Sequence, residues 1–393
     1  MKKRIITHAT IYTESATIKN GYIKIKNGKI EEINSMENLS ISEGYEKIAI
    51  PSSYKVIPGR IDLHIHGAGG ADTMDATNEA LSTIANALPK EGTTSFLATT
   101  ITQSKEAIER ALQNVASYKK SPQTEGEAEI VGIHLEGPFL NYKKAGAQPF
   151  QYMLHPSIDI FNLWQNLADG LIKVVTVAPE MPGGYEFIRH LHQNGVIASI
   201  GHSDATNDEM IQAIEAGAKQ VTHLFNGMRG LHHRDPGTAG AALLHESLKV
   251  ELIADGIHVH PQMIHLAYQL KKKEGIILIT DSMRAKCLKN GTYDLGGQQV
   301  TVKDDMAILE NGTLAGSVLR MNDAVKNMMK YTNCSLEESI RMSSVNPAKQ
   351  IGIYDRKGSI TVGKDADIVI LNDENDVHMT ICQGSIAFQK EDT

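Results

Sequence analysis

The sequence predicts an α/β protein: a (β/α)8 TIM-type barrel with a small β-sandwich domain built from both chain termini. Three observations predict it. Eight apolar, β-branched runs recur along the chain, at 55–66, 93–100, 129–136, 172–178, 196–202, 220–225, 250–258 and 275–281. Stretches with amphipathic helical spacing separate them, such as 78–90, 104–118, 208–216 and 261–273. Near-continuous apolar strands alternating with helices mark a parallel sheet covered on both faces. Finally, the two chain ends share another texture, of short alternating strands and turn residues. Eight repeats favour a closed barrel, and an open doubly wound sheet is the alternative.

At the N-terminus, Asn20-Gly21 and Asn27-Gly28 are turn dipeptides, and Tyr22-Ile23-Lys24-Ile25-Lys26 alternates apolar and polar between them. The other end reads Gly358-Ser359-Ile360-Thr361-Val362-Gly363, then Ala366-Asp367-Ile368-Val369-Ile370-Leu371. Neither end is long enough to hold much of a core alone, so the two are expected to pair. The expected division is a small domain over 1–57 and 358–393 and a catalytic barrel over 58–357.

Composition narrows the function. With 41% hydrophobic and 22% charged residues the chain can bury a full core. A net charge of −7 lacks the basic footprint of a nucleic-acid binder, although it leaves room for a local basic pocket. No apolar core of a signal peptide follows Met1-Lys2-Lys3-Arg4. No apolar run approaches the roughly 20 residues that span a bilayer. Cys287, Cys334 and Cys382 are widely spaced and odd in number, which argues against a disulfide framework. The expectation is a cytoplasmic protein without membrane or nucleic-acid partners.

In such a barrel, function gathers where the strands end. The first run ends Asp62-Leu63-His64-Ile65-His66, the third His134-Leu135-Glu136-Gly137-Pro138, the fifth Gly201-His202-Ser203-Asp204. The sixth contains Thr222-His223-Leu224-Phe225-Asn226, the seventh ends Ala254-Asp255-Gly256-Ile257-His258, and the eighth Ile279-Thr280-Asp281-Ser282. Residues two apart on a strand share a face, so His64 and His66 both aim into the barrel mouth. Imidazoles and carboxylates are what zinc and similar divalent ions take. His64, His66, Glu136, His202 and His223 suffice for two ions sharing a carboxylate bridge. His134 shares the face of Glu136 and reads as support or packing rather than a ligand.

These residues resemble the amidohydrolase superfamily. Within it, His134 to Asn141, Thr222 to Met228 and Ala254 to His258 closely resemble the N-acetylglucosamine-6-phosphate deacetylases, as does Asn311-Gly312-Thr313-Leu314-Ala315-Gly316-Ser317. The resemblance runs nearly end to end. It implies hydrolysis of the acetyl amide of a phosphorylated amino sugar, with N-acetylgalactosamine 6-phosphate as the rival substrate and a non-catalytic scaffold as the rival class. One or two divalent ions per subunit are implied, with zinc first and iron or another transition metal as alternatives.

Asp281 would act as general base and then general acid. Asn226, Gly227, His258 and Gln148 would meet the substrate, Gln148 standing where some members carry a histidine. Arg234 would bind the phosphate, reaching over from a second subunit of a homodimer. Many amidohydrolases bridge their metals with a carboxylated lysine at the end of the fourth strand. Here the only lysine of that run, Lys173, lies at its other end, so Glu136 is the better bridge.

Overall fold

The computed structural model describes residues 3–40, 43–121 and 124–391. Eight parallel strands pair in consecutive order: Arg60–Ile65, Thr93–Thr99, Glu129–Glu136, Ile172–Val177, Ile197–Ile200, Gln220–Val221, Lys249–Ile253 and Ile276–Ile279. The ring closes where the eighth segment returns to the first. Asp281 N donates to His64 O at 2.8 Å, and His66 N donates to Ser282 O at 2.9 Å. The first three strands and the eighth are buried at every residue, as their apolar runs require.

A helix follows each strand: Asn78–Ala87, Lys105–Lys120, Ile158–Leu167, Gly184–Gln193, Asn207–Ala216, Gly237–Leu244, Pro261–Gly275 and Met321–Thr332. Their starts are written locally. Thr206 and Glu209, for example, form a reciprocal capping box before Asn207. The barrel core runs from Leu63, Phe96 and Ile133 through Val175 and Ile200 to Leu252 and Leu278.

Both chain ends enter one mixed eight-stranded sheet. Ile368–Leu371 lies antiparallel to Lys55–Pro58, which in turn pairs parallel with Arg4–Tyr12. Ile6, Ile11, Ile23, Ile368, Ile370 and Ile381 share its core. A buried charge cluster fastens this sheet to the barrel. Lys357 Nζ lies 2.9 Å from Glu129 at the start of the third strand and 3.3 Å from Asp365, and it also meets Asp367. Arg356 joins Glu129 and Asp365 at 2.8 and 2.7 Å.

Four details depart from the sequence reading. The first run divides at Pro58-Gly59: Lys55–Pro58 serves the terminal sheet and Arg60–Ile65 the barrel. The sixth run keeps only two strand residues, because His223 and Phe225 adopt positive φ and turn the chain away. Asn20-Gly21 lies inside the strand Thr17–Lys26, beside a register shift, where a Cβ on Gly21 would meet Ile11 Cδ1 at 2.7 Å. Asn27-Gly28 is the two-residue hairpin turn, both residues having positive φ. The last detail is unforeseen: a three-stranded antiparallel insert, Gly291–Leu295, Gln298–Lys303 and Met306–Leu309, follows the eighth strand.

Candidate active site

The barrel floor brings together every candidate ligand expected from the strand ends. His64, His66 and Asp281 form one group, and Glu136, His202 and His223 a second, with donor atoms within 4.8 Å of one another in each. Glu136 touches both. Its Oε1 lies 3.3 Å from His202 Nε2, 3.0 Å from His223 Nε2 and 3.5 Å from His64 Nε2, while its Oε2 lies 3.3 Å from His66 Nε2. Asp281 Oδ1 stands 3.3 Å from His64 and 3.2 Å from His66. No helix begins at Asp281, so its side chain is not spent as a cap.

Hydrogen bonds behind the rings fix which nitrogens face inward. His202 Nδ1 donates to Lys144 O at 2.8 Å, so the neutral ring presents a lone pair at Nε2. His64 Nδ1 meets Glu251 Oε2 at 2.9 Å, and its Nε2 is a buried atom without a hydrogen bond. The Nε2 atoms of His202 and His223 stand 3.1 Å apart against the same carboxylate oxygen. Lone pairs converging on carboxylates repel unless a cation lies among them, so the donor set fits divalent metal.

The electrostatics agree. Burial opposes charge on His64, yet Asp281, Glu136 and Glu251 raise its pKa well above the ordinary value. His66 is likewise raised to about 9 against burial, by Asp281 and Glu136. Burial pushes Asp281 upward, but His64 and His66 outweigh it and hold the carboxyl at about 2. The floor is built for positive charge. His202, His223 and Asp281 also take positive φ, of 46°, 28° and 49°. Such backbone costs about 1–3 kcal/mol a residue and concentrates at functional sites.

The layer behind the ligands was only partly foreseen. His134 donates from Nδ1 to Leu63 O at 3.0 Å and bonds Thr176 Oγ1 through Nε2 at 2.7 Å, so both ring nitrogens are engaged. Burial pushes its pKa down to about 4, which keeps it neutral. It is a brace, although it falls within ligand distance of His64 and Glu251. Sequence reasoning missed Glu251, fully buried on the seventh strand, which accepts from Gln220 Nε2, His64 Nδ1 and the His223 backbone. It also missed Glu180, which accepts from Asn141, Ser203 and the Asp204 backbone and so fixes the loop carrying His202. A glutamate inside an apolar strand was the available signal for Glu251.

Above the floor lies a cavity of about 400 Å³, lined in part by Gln148, Asn226, Gly227 and His258. Gln148 donates to Glu136 Oε2 at 2.7 Å and accepts from Thr102 N at 2.9 Å, so it contacts the Glu136 carboxylate as well as the cavity. His258 Nδ1 pairs with Asp255 at 2.6 Å; against the effect of burial, that bond raises its pKa. Gly227 has φ of 56°, and a Cβ there would meet His202 Nδ1 at 2.9 Å. Only glycine fits that approach. Residues Leu295 and Gly312 to Leu314 add a wall from the insert and the segment after it.

Arg234 stands apart. It is exposed, is absent from the cavity lining and contacts His233 at 2.8 Å. Its neighbour Asp235 pairs instead with Arg229, at 3.0 Å.

Comparison with known proteins bears on the same site. The amidohydrolase family matches residues 55–387. The chain is 50% identical over 386 residues to N-acetylglucosamine-6-phosphate deacetylase of Bacillus subtilis (strain 168), covering 98% of this chain and 97% of that one. The enzyme of that name from Lysinibacillus sphaericus is 46% identical, with 98% of both chains covered. A crystal structure of N-acetylglucosamine-6-phosphate deacetylase from Thermotoga maritima matches with a TM-score of 0.87 at 36% identity, over 98% of this chain and 100% of that one.

Proposed function

The chain belongs to the amidohydrolase family, and from that premise we propose how its barrel works. It hydrolyses the N-acetyl group of N-acetylglucosamine 6-phosphate, giving glucosamine 6-phosphate and acetate, a step of amino-sugar catabolism and cell-wall recycling. Identities of 50% and 46% over nearly the whole chain to deacetylases of that substrate support the choice of substrate. The observation that carries the chemistry is the floor, where Glu136 touches both candidate ligand groups beside the Asp281 carboxylate.

His64, His66 and Asp281 would hold one divalent ion and His202 and His223 another, with Glu136 between them. Zinc suits these nitrogen and oxygen donors, and iron would too. The bound metal supplies Lewis acidity, polarising the acetyl carbonyl and lowering the pKa of water. Asp281 takes a proton from the attacking water at its carboxylate oxygen. As the carbonyl carbon–nitrogen bond breaks, it returns that proton to the departing amine. His258, whose charged form Asp255 favours through Nδ1, would offer the N–H of its other ring nitrogen to the substrate. Asn226 and the Gly227 N–H line the sugar phosphate, and Gln148 steadies Glu136.

Arg234 of the partner subunit would clamp the phosphate, because its planar fork meets such an anion in pairs of hydrogen bonds. Exposed Tyr142, Phe150 and Leu231 on the loops after the third and sixth strands suit burial in a homodimer. The terminal sheet, whose strand Lys55–Pro58 ends one residue past the boundary expected at 57, braces the barrel. No helix among the described residues is long and apolar enough to cross a membrane. Three unpaired cysteines suit a reducing cytoplasm.

The test is acetate release from N-acetylglucosamine 6-phosphate, the unphosphorylated sugar and N-acetylgalactosamine 6-phosphate, before and after chelation. Chelator-sensitive turnover selective for the first is expected. No turnover by fully metallated protein would overturn the substrate.

A further inference from the structure

The cavity over the ligands has two unlike sides. Asn226, Gly227 and His258 follow the sixth and seventh strands. Ile101 follows the second strand, and Leu295 comes from the insert. In a ring of eight strands paired in order, the second strand faces the sixth. A substrate lying across the floor therefore meets polar groups on one side and, beyond Gln148, whose amide is already taken by Thr102 and Glu136, the carbon of Ile101 and Leu295 on the other. A hydroxyl turned to the carbon side would be buried unpaired, whereas an alkyl group there gains.

The carbon side is also closed and rigid. Ile101 and Leu295 are each 2% exposed and share one apolar cluster with Met283 and Val300. Gln103 Nε2 donates to Gly296 O, and Gln298 Nε2 to Ala147 O, both at 2.6 Å, tying the insert to the loops after the second and third strands. Gln148 then links this wall to the floor, since it bonds both the Thr102 backbone and Glu136.

We infer that Ile101 and Leu295 are specificity-determining residues, forming an acyl subsite that admits acetyl and excludes longer chains. This rests on the deacetylase reading above. One methylene in an apolar pocket is worth about 10- to 200-fold in kcat/KM. The metallated wild type is expected to lose at least about tenfold for each methylene added from N-acetyl to N-propionyl to N-butyryl glucosamine 6-phosphate.

Leu295→Ala should raise the butyryl-to-acetyl ratio by about tenfold or more at unchanged metal content. Ile101→Val, which disturbs the wall less, should move it the same way by a smaller factor and decides the matter if Leu295→Ala melts early. Equal kcat/KM for the three acyl groups in the wild type overturns the inference. So does a ratio that neither variant shifts. A metallated wild type inactive on all three would instead remove the deacetylase reading, and the inference with it.

Discussion

Glu251 gives the most demanding test of how the floor is held. Its buried carboxylate accepts from Gln220 Nε2 at 2.6 Å, His64 Nδ1 at 2.9 Å and His223 N at 3.2 Å. Glu251→Gln changes charge with little change of shape. The new amide can keep its oxygen on His64 and His223 and turn its NH2 toward Gln220, if the Gln220 amide flips. Gln220 Oε1 is buried without a partner, so the flip exchanges one unpartnered atom for another.

What remains lost is the negative charge behind His64. Losing a partner of this kind costs about 10- to 100-fold in metal affinity, or about 1.4–2.7 kcal/mol. Glu251→Ala instead strands three buried donors at about 1–3 kcal/mol each, against a domain stability of about 5–15 kcal/mol. It should lose about 3–9 kcal/mol, a large part of that stability, and melt far earlier than the wild type. Metal per chain is measured by dialysis against graded chelator, with the melting temperature as the control on folding. A well-folded Glu251→Gln with wild-type metal affinity would refute the orienting role. A stable, fully metallated Glu251→Ala would refute the hydrogen-bond reasoning beneath it.

Three further outcomes are expected. Asp281→Asn should lower kcat by about 10²- to 10⁴-fold, measured by single-turnover acetate release on protein of known metal content; a change under threefold would remove the proton-transfer role. Arg234→Ala should raise KM for the phosphorylated sugar and spare the weak turnover of the unphosphorylated one, and an equal effect on both would dismiss the phosphate clamp. The charge cluster at Lys357 predicts acid sensitivity. Burial pushes Glu129 upward, but Arg356 and Lys357 prevail and hold it well below its ordinary 4.5. A depressed carboxylate stabilises the fold above that ordinary value, and its contribution fades as pH falls from 4.5 toward the lowered one. Lys357→Met, which leaves the buried Asp367 without its cation while Arg356 still holds Glu129 and Asp365, should cost about 3–5 kcal/mol and make this acid limb shallower in melting curves.

Legibility followed burial. The strands could be read because both their faces are covered, which makes them uniformly apolar and leaves His64, Glu136 and His202 conspicuous at their ends. Glu251 broke the same rule within Val250-Glu251-Leu252-Ile253 and could have been noticed, but which ring it faces depends on the neighbouring strands. The insert had its punctuation too, in Gly296-Gly297 and Asp304-Asp305 between alternating residues. Its placement over the second and third strands rests on contacts 193 and 151 residues apart, beyond any periodicity. Asn20-Gly21 misled because a turn dipeptide also suits a β-bulge.

The fourth strand shows why a carboxylate between two metals would have to come from elsewhere. Lys173 sits at its start, where a Cβ on Gly132 would meet Lys173 Cγ at 2.6 Å, so the lysine packs beside the third strand rather than at the mouth. The residue nearer the floor is Thr176, which bonds His134 on the third strand and Thr222 just beyond the sixth, across the barrel interior. A lysine bridge exists only after reaction with carbon dioxide, whereas Glu136 carries its carboxylate from synthesis. Metal uptake by the metal-free protein should therefore proceed equally fast, and to the same stoichiometry, in degassed buffer and in bicarbonate. A bicarbonate requirement would mean that some group other than Glu136 completes the site.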